Sequence, residues 1–382
     1  MGLPATHALS IPALAALALG LAPAIDPLAR GESPRAEATA PVRGGPPPAV
    51  APSVRVATFL SKTYLVDRKY RSMMGPQSTQ PVTLLETETP ELLWVTGFRA
   101  EMVGPDGQSP LSQEFMCHSN LDLNMSLHRR LFGMKRPSPN RVFTLSQGQQ
   151  EIRFPAGFGM PIVSSEPFSL TTQVLNHNLE RASFEVRHRV TVEFARDAEL
   201  GAPLKPLFPL AANGLVLVEG KDPYFDIPEA DAQVHGSGCQ VGQTVAGSGH
   251  DIPDRYGRRF SSHWIVKPGR EVNHSNITRF MNVPFDTTAH YIAVHLHPFA
   301  ESLELRDLTE GVTVYRSLAR NSPDRIGLDA VQYYSSEEGL KLHADHEYEL
   351  VSVYNNTTSE DHDSMAVMYI YALDKEFRRP EL

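Results

Sequence analysis

The sequence predicts an all-β chain of two tandem antiparallel β-sandwich domains of jelly-roll type, and three observations carry that expectation. Short runs rich in β-branched and aromatic residues recur along most of the chain, broken by Pro, Gly and Asn. No long stretch shows the apolar period of an amphipathic helix. A Pro-punctuated segment, residues 198–213 with Pro203, Pro206 and Pro209, divides the runs into two sets. With 382 residues, 41% of them hydrophobic, the chain holds enough apolar matter for two cores.

In chain order, residues 1–24 read as an export signal. An Ala/Leu-rich run over residues 11–25 is too short to span a bilayer, and Ala22-Pro23-Ala24 offers a small-x-small cleavage pattern. The positive n-region is missing, since only His7 stands where Lys or Arg is usual. Residues 25–53, typified by Gly44-Gly-Pro-Pro-Pro48, are too poor in apolar side chains to order themselves and read as a flexible tether. The first sandwich is expected over residues 54–200, from runs at 53–59, 92–98, 168–175 and 183–194. In the last of these Phe184, Val186, His188, Val190, Val192 and Phe194 alternate with polar neighbours, the pattern of a half-buried antiparallel strand. The second sandwich is expected over residues 201–382, from runs at 214–218, 262–266, 278–283, 291–297, 303–306, 312–315, 348–354 and 364–372. No later transmembrane segment follows, so the mature chain is expected to be exported, periplasmic or extracellular, without an integral membrane span.

Composition removes several classes of function. The net charge of -9, with no run of Lys and Arg, argues against nucleic acid as a partner and leaves a small-molecule substrate as the expected one. Two cysteines are too few for a disulfide scaffold. In an oxidising compartment Cys117 and Cys239 have the option of a single bridge, and otherwise Cys117 is a free thiol beside His118. The chain has no Gly-x-Ser-x-Gly elbow, and no Gly-x-Gly-x-x-Gly or Walker-type loop follows a strand, which argues against a serine hydrolase and a nucleotide cofactor.

The chemistry concentrates in His295-Leu-His297. On a strand, alternate side chains share a face, so Tyr291, Ala293, His295 and His297 point one way while Ile292, Val294 and Leu296 point to a core. By the same parity Met365, Val367 and Tyr369 share a face of the 364–372 run. Two imidazoles joined by a thioether select copper, Cu(I) above all, over zinc or magnesium. The plain alternative is a polar strand face with Met365 as apolar filler. In the N-terminal half, His118 follows Cys117 and His177 closes an apolar strand. His263, His274 and His290 are candidates for outer partners of ligands, while His250, after a Gly-rich loop, and His343 and His346, near the 347–354 strand, are further ligand candidates for which a surface or core role is the plainer reading.

The order of these pieces resembles the ascorbate-dependent type II copper monooxygenases, the family of peptidylglycine α-hydroxylating monooxygenase and dopamine β-monooxygenase. The resemblance runs from about residue 92 to 371, through the segment from Phe154-Pro-Ala-Gly-Phe-Gly159 to His177, then His295-Leu-His297, Tyr354-Asn-Asn-Thr-Thr358 and Asp363-Ser-Met365. It implies two jelly-roll domains with one copper each. His118 and His177 would hold the first ion, with Cys117 where the family has a second adjacent histidine; His295, His297 and Met365 would hold the other. It further implies O2, ascorbate or another reductant, hydroxylation of an aliphatic C–H, and a catalytic role for Tyr369. Ala293 and Val367 stand where the peptide enzymes carry an arginine and an asparagine that hold a substrate carboxylate, so a C-terminal glycine peptide is not the expected substrate. Cys117 and His118, as strand neighbours, can both ligate only at a bulge or strand end. Two other readings stand beside this one: an exported copper-binding or copper-sensing protein without turnover, and a cupin-like metal oxygenase in which Glu301 follows the His-x-His pair.

Overall fold

The structure, a computed structural model, describes residues 53–217, 252–253 and 259–382, which belong to one compact unit, Ala49–Leu382. The expected signal, nearly all of the tether, Cys239 and His250 lie outside the described residues.

The N-terminal half folds as β1 (Arg55–Leu60), β2 (Tyr64–Val66), β3 (Gln77–Val82), β4 (Leu92–Val103), β5 (Met116–Leu123), β6 (Arg141–Ser146), β7 (Glu151–Arg153), β8 (Phe158–Val163), β9 (Phe168–Val174) and β10 (Phe184–Arg196). A short helix, α1 (Met125–Leu131), follows β5. It begins where the Asn124 side chain accepts the Leu127 N–H at 3.1 Å. Strands β11 (Lys205–Asn213), β12 (Val216–Leu217), β13 (Ile252–Pro253), β14 (Arg259–Ser261), β15 (Trp264–Val266) and β16 (Gly269–Asn276) come next, and then α2 (Thr278–Met281). The chain ends with β17 (Thr287–Leu296), β18 (Ala300–Asp307), β19 (Val312–Asn321), β20 (Leu328–Val331), β21 (Tyr334–Leu342), β22 (Tyr348–Asn356), β23 (His362–Ser364) and β24 (Ala366–Leu373).

The chain is all-β and built of packed antiparallel sheets, as its alternation predicts. One long sheet runs β1-β10-β4-β8-β11-β24-β17-β21, with a four-stranded sheet β3-β9-β5-β6 and a five-stranded sheet β16-β22-β18-β19-β20 beside it. Parity along β17 and β24 then assigns their two faces to two cores. Tyr291, Ala293, Val367, Tyr369 and Tyr371 join the core made by β4, β5, β6, β9 and β10. Ile292, Val294, Leu296, Met368 and Ile370 join the core under β18 and β22. The β17–β24 pair is therefore a wall common to both halves, and the odd-numbered face, which carries the His-x-His pair, looks into the N-terminal half.

The expected boundary segment, residues 198–213, includes a strand, Lys205–Asn213, that pairs antiparallel with β24 and, at Lys205 and Pro206, parallel with β8. Past Pro206 its strand partner among the described residues is β24, on one side, a setting in which a strand tolerates proline. One local expectation comes out differently: the run 278–283 holds a helical turn, Thr278–Met281, rather than a strand. Asn276 Oδ1 accepts the Thr278 N–H at 3.2 Å at its start, and Asn282, at φ 46°, ends it in the left-handed region.

Candidate metal centre

His295 is the penultimate residue of β17 and His297 follows the strand. In the β17–β24 register His295 faces Val367 and Leu296 faces Ala366, so continuation by one residue sets His297 opposite Met365. The Tyr354 hydroxyl ties these two together, accepting the His297 N–H at 3.4 Å and donating to the Met365 carbonyl at 2.6 Å. Met365 is partly buried and packs on the N-terminal core.

Each imidazole is oriented through one nitrogen. His295 Nδ1 lies 2.9 Å from Ser146 Oγ, at the end of β6 in the other half. His297 Nδ1 lies 3.0 Å from Asp363 Oδ2. Both rings thereby turn Nε2 away from these partners, the arrangement in which an outer partner fixes the tautomer of a metal-ligating histidine. The rings stand 5.2 Å apart between centroids, nearly perpendicular at 87°, and are only 5% and 3% exposed.

His118 comes to the same place from the N-terminal half. On β5 it pairs with Ser146 of β6 and Gln173 of β9, and Ser146 is the residue that holds His295. The Nε2 of His118 is buried without a hydrogen-bond partner, an open donor or acceptor that folded proteins rarely leave. Burial, aided by Arg141 and by the rings of His188, His297 and His263, holds His118 well below the ordinary imidazole value. Burial and the rings of His297, His118 and His263, with Arg141, do the same to His295. Four imidazoles, those of His118, His263, His295 and His297, thus sit within electrostatic reach of one another, two of them held neutral.

His177 lies just past β9, half-buried, with Nε2 3.3 Å from Ser72 Oγ. Burial lowers its pKa to about 4 against the opposing charge of Asp363. For Asp363, burial favours the neutral acid, but the hydrogen bond and charge of His297 outweigh it and the carboxyl stays below its usual value. A bulge in β5 does occur at Cys117, between Met116 and His118. It sends the Cys117 Sγ to 4.0 Å from Met73 Sδ. Cys117 is a free, buried thiol, and burial pushes its pKa up to about 12, so it is protonated at neutral pH.

Among the described residues the one group of three His, Cys, Asp or Glu whose ligating atoms all lie within 4.8 Å is Glu310, His343 and His346. Cys117, His118 and His177 therefore do not share one coordination sphere. Tyr369, 6% exposed, lies in the N-terminal core, where its hydroxyl bonds the Arg141 guanidinium. That guanidinium also pairs with Asp122 at 2.8 Å. Ala293 and Val367 are fully packed into the same apolar core. Of the other histidines, His263 joins the cluster. His274 is exposed and pairs with Glu349, and His290 stacks on Phe158 at 4.1 Å. Glu301, the would-be cupin ligand, pairs with Arg270 on the surface at 3.1 Å.

No family model matches the chain, and no curated protein matches it. Two solved structures to which it is similar are the STIV MCP and the major capsid protein P2 from bacteriophage PM2. The first is 10% identical, covers 84% of this chain and 97% of its own, and has a TM-score of 0.28. The second is 8% identical, covers 84% of this chain and 100% of its own, and has a TM-score of 0.30. No helix among the described residues is long and apolar enough to cross a membrane.

The residues that sequence reading overlooked are Ser146 and the role of Asp363. Asp363 stands two residues before Met365, a spacing visible in the sequence, whereas nothing local marks Ser146 as a partner of His295. Two bulky residues at positive φ flank the cluster: Met73 at 64°, packed on Cys117, and Phe299 at 72°, two residues beyond His297. Such conformations are costly for non-glycine residues and concentrate at functional sites. Phe299 also stacks near His362, with ring centroids 4.7 Å apart. It lines a groove of about 420 Å³ with Asn178, Asn321, Arg325, Asn355 and Thr358.

Proposed function

We propose that this chain is an exported copper-dependent oxidoreductase of the ascorbate-dependent monooxygenase type, with His295, His297 and Met365 as the ligands of its oxygen-handling copper. The observation that supports the reading is the pair of buried imidazoles, 5.2 Å apart between centroids, each with Nδ1 tied to a protein oxygen and Nε2 not engaged by that partner. The donor set fits copper: two imidazoles, one of them held neutral by burial, and the thioether of Met365, whose backbone is tied to that of His297 through Tyr354. Bound copper would supply one-electron chemistry with O2 and ascorbate for hydroxylation of an aliphatic C–H. The protein's part is to hold the ligands, through Ser146, Asp363 and Tyr354, and to exclude water from a site whose rings are almost wholly buried. The apolar packing of Ala293 and Val367 removes the carboxylate-holding groups of peptidylglycine enzymes, so the substrate is a small molecule other than a glycine-ended peptide.

A second reading, copper binding without turnover, is favoured by one observation. Cys117, His118 and His177 do not gather their ligating atoms within 4.8 Å, and the electron-supplying second copper of the family would depend on them. Copper stoichiometry and O2 uptake with ascorbate separate the two. The oxidase reading expects copper-dependent O2 uptake that His295→Gln and Met365→Ala abolish. Stoichiometric copper binding with no uptake above that of the variants selects the second reading. Undiminished Cu(I) affinity in Met365→Ala sinks the thioether assignment in both.

A further inference from the structure

We propose a second, independent metal site on the outer edge of the C-terminal half: a divalent cation of the zinc class held by His343, His346 and Glu310. His343-Ala-Asp-His346 lies in the turn between β21 and β22, and Glu310 lies in the turn between β18 and β19. The ligating atoms of the three residues fall within 4.8 Å of one another, and the two rings stand 4.4 Å apart between centroids. Two imidazoles at such separation, with a carboxylate beside them and water free to complete the shell, form the N/O donor set that zinc prefers. Magnesium and calcium seek oxygen alone.

Proximity by itself would be weak evidence on a partly exposed surface, but two features set this cluster apart. First, each imidazole has a carboxylate at Nδ1: Asp307 Oδ2 at 2.6 Å from His346 and Asp286 Oδ2 at 3.6 Å from His343. At His346 this hydrogen bond orients the ring so that Nε2 is left for a metal, the carboxylate–histidine–metal arrangement of built sites, whereas at His343 the carboxylate lies beyond hydrogen-bond distance and contributes its charge alone. Asp345 Oδ1 lies 3.9 Å from His346 Nε2 and adds an oxygen on the metal side. Second, both turns are pinned before any metal arrives. The Tyr348 hydroxyl accepts the His343 N–H at 2.7 Å and donates to the His343 carbonyl at 3.1 Å. Asp307 Oδ1 accepts the N–H groups of Thr309 and Glu310 at 2.9 and 3.0 Å. The turns are stitched to each other by Leu308 N–H to the Glu347 carbonyl at 2.8 Å and by Glu347 N–H to Thr309 Oγ1 at 2.9 Å. Little order remains to be imposed on binding, so the cation would act as a clip between the β18–β19 and β21–β22 turns.

The test uses the full chain, stripped with chelator and titrated with Zn2+ by calorimetry and with Co2+ by its visible absorption. The parent is compared with His343→Gln/His346→Gln, with Asp307→Asn, and with His274→Gln as a surface-histidine control. The double variant is expected to lose one equivalent of Zn2+ and the Co2+ band of a low-coordinate N/O site. Asp307→Asn should weaken Zn2+ about 10- to 100-fold, and His274→Gln should match the parent. His295→Gln, which tests the buried centre, should leave this equivalent intact, so either site can fail without the other. If the double variant binds as many equivalents of Zn2+ as the parent, with the Co2+ spectrum unchanged, the cluster is a surface ion-pair network and the proposal is overturned.

Discussion

Replacing Ser146 by Ala removes one hydroxyl, and its consequences separate a ligand-holding residue from a merely structural one. For His295 Nε2 to ligate, Nδ1 must carry the proton, so Nδ1–H donates to Ser146 Oγ at 2.9 Å. Ser146 Oγ lies 3.4 Å from the Gln147 carbonyl and donates onward to it. Alanine leaves that buried Nδ1–H without an acceptor in a site where His295 is 5% and Ser146 3% exposed. The loss should be about 1–3 kcal/mol, the cost of an unsatisfied buried donor, or a fall in melting temperature on the order of 2–6 °C. The second consequence is on metal: freed of its outer partner, the ring loses its fixed tautomer, and Cu(I) affinity should fall about 10- to 100-fold. The control is Ser119→Ala, which removes a chemically equivalent bond, Ser119 Oγ to His188 Nδ1 at 2.8 Å, from a histidine outside the proposed ligand set. Thermal melts of the metal-free chain and anaerobic competition for Cu(I) against a chromophoric chelator give the two quantities. Similar melting losses with a Cu(I) defect confined to Ser146→Ala are expected. Equal Cu(I) affinity in both variants would refute the reasoning.

Two further outcomes follow from the burial of titratable groups. Burial lowers His188 to about 3, against a weaker opposing bond from the Gln173 backbone. Below the ordinary imidazole value the unfolded chain therefore takes up a proton that the folded chain refuses, and stability falls as pH falls through that window. Urea unfolding at pH 6.5 and 4.5 should show the parent losing about 2–3 kcal/mol more than His188→Gln, and equal losses would remove His188 as the cause. At Cys117, with its thiol pushed up to about 12 by burial, alkylation followed by peptide mass analysis should find this residue unmodified in the native chain at pH 8 and fully modified in denaturant; prompt native labelling would contradict the packing against Met73.

The sequence alone determined the all-β class, and its alternation correctly grouped residues by face along β10, β17 and β24, because a strand's period of two is local information. It also grouped Tyr291 with Ala293 and Val367 with Tyr369, and each of these pairs packs in one core. Thr278-Arg-Phe-Met reads as a strand in the sequence, whereas in the fold the left-handed Asn282 closes a helical turn there, with Asn276 Oδ1 accepting the Thr278 N–H. Which way the His-x-His face looks was decided by tertiary structure alone. The sheet runs on through β11 into the N-terminal half, so that face is buried against β5 and β6 rather than lining a pocket of its own domain. Ser146 and His118 meet His295 from far along the chain, and the glutamate and histidines of the outer cluster come from two separate turns. Contacts of that kind depend on how sheets stack, a long-range outcome of burying two apolar faces at once, and no window of sequence contains it.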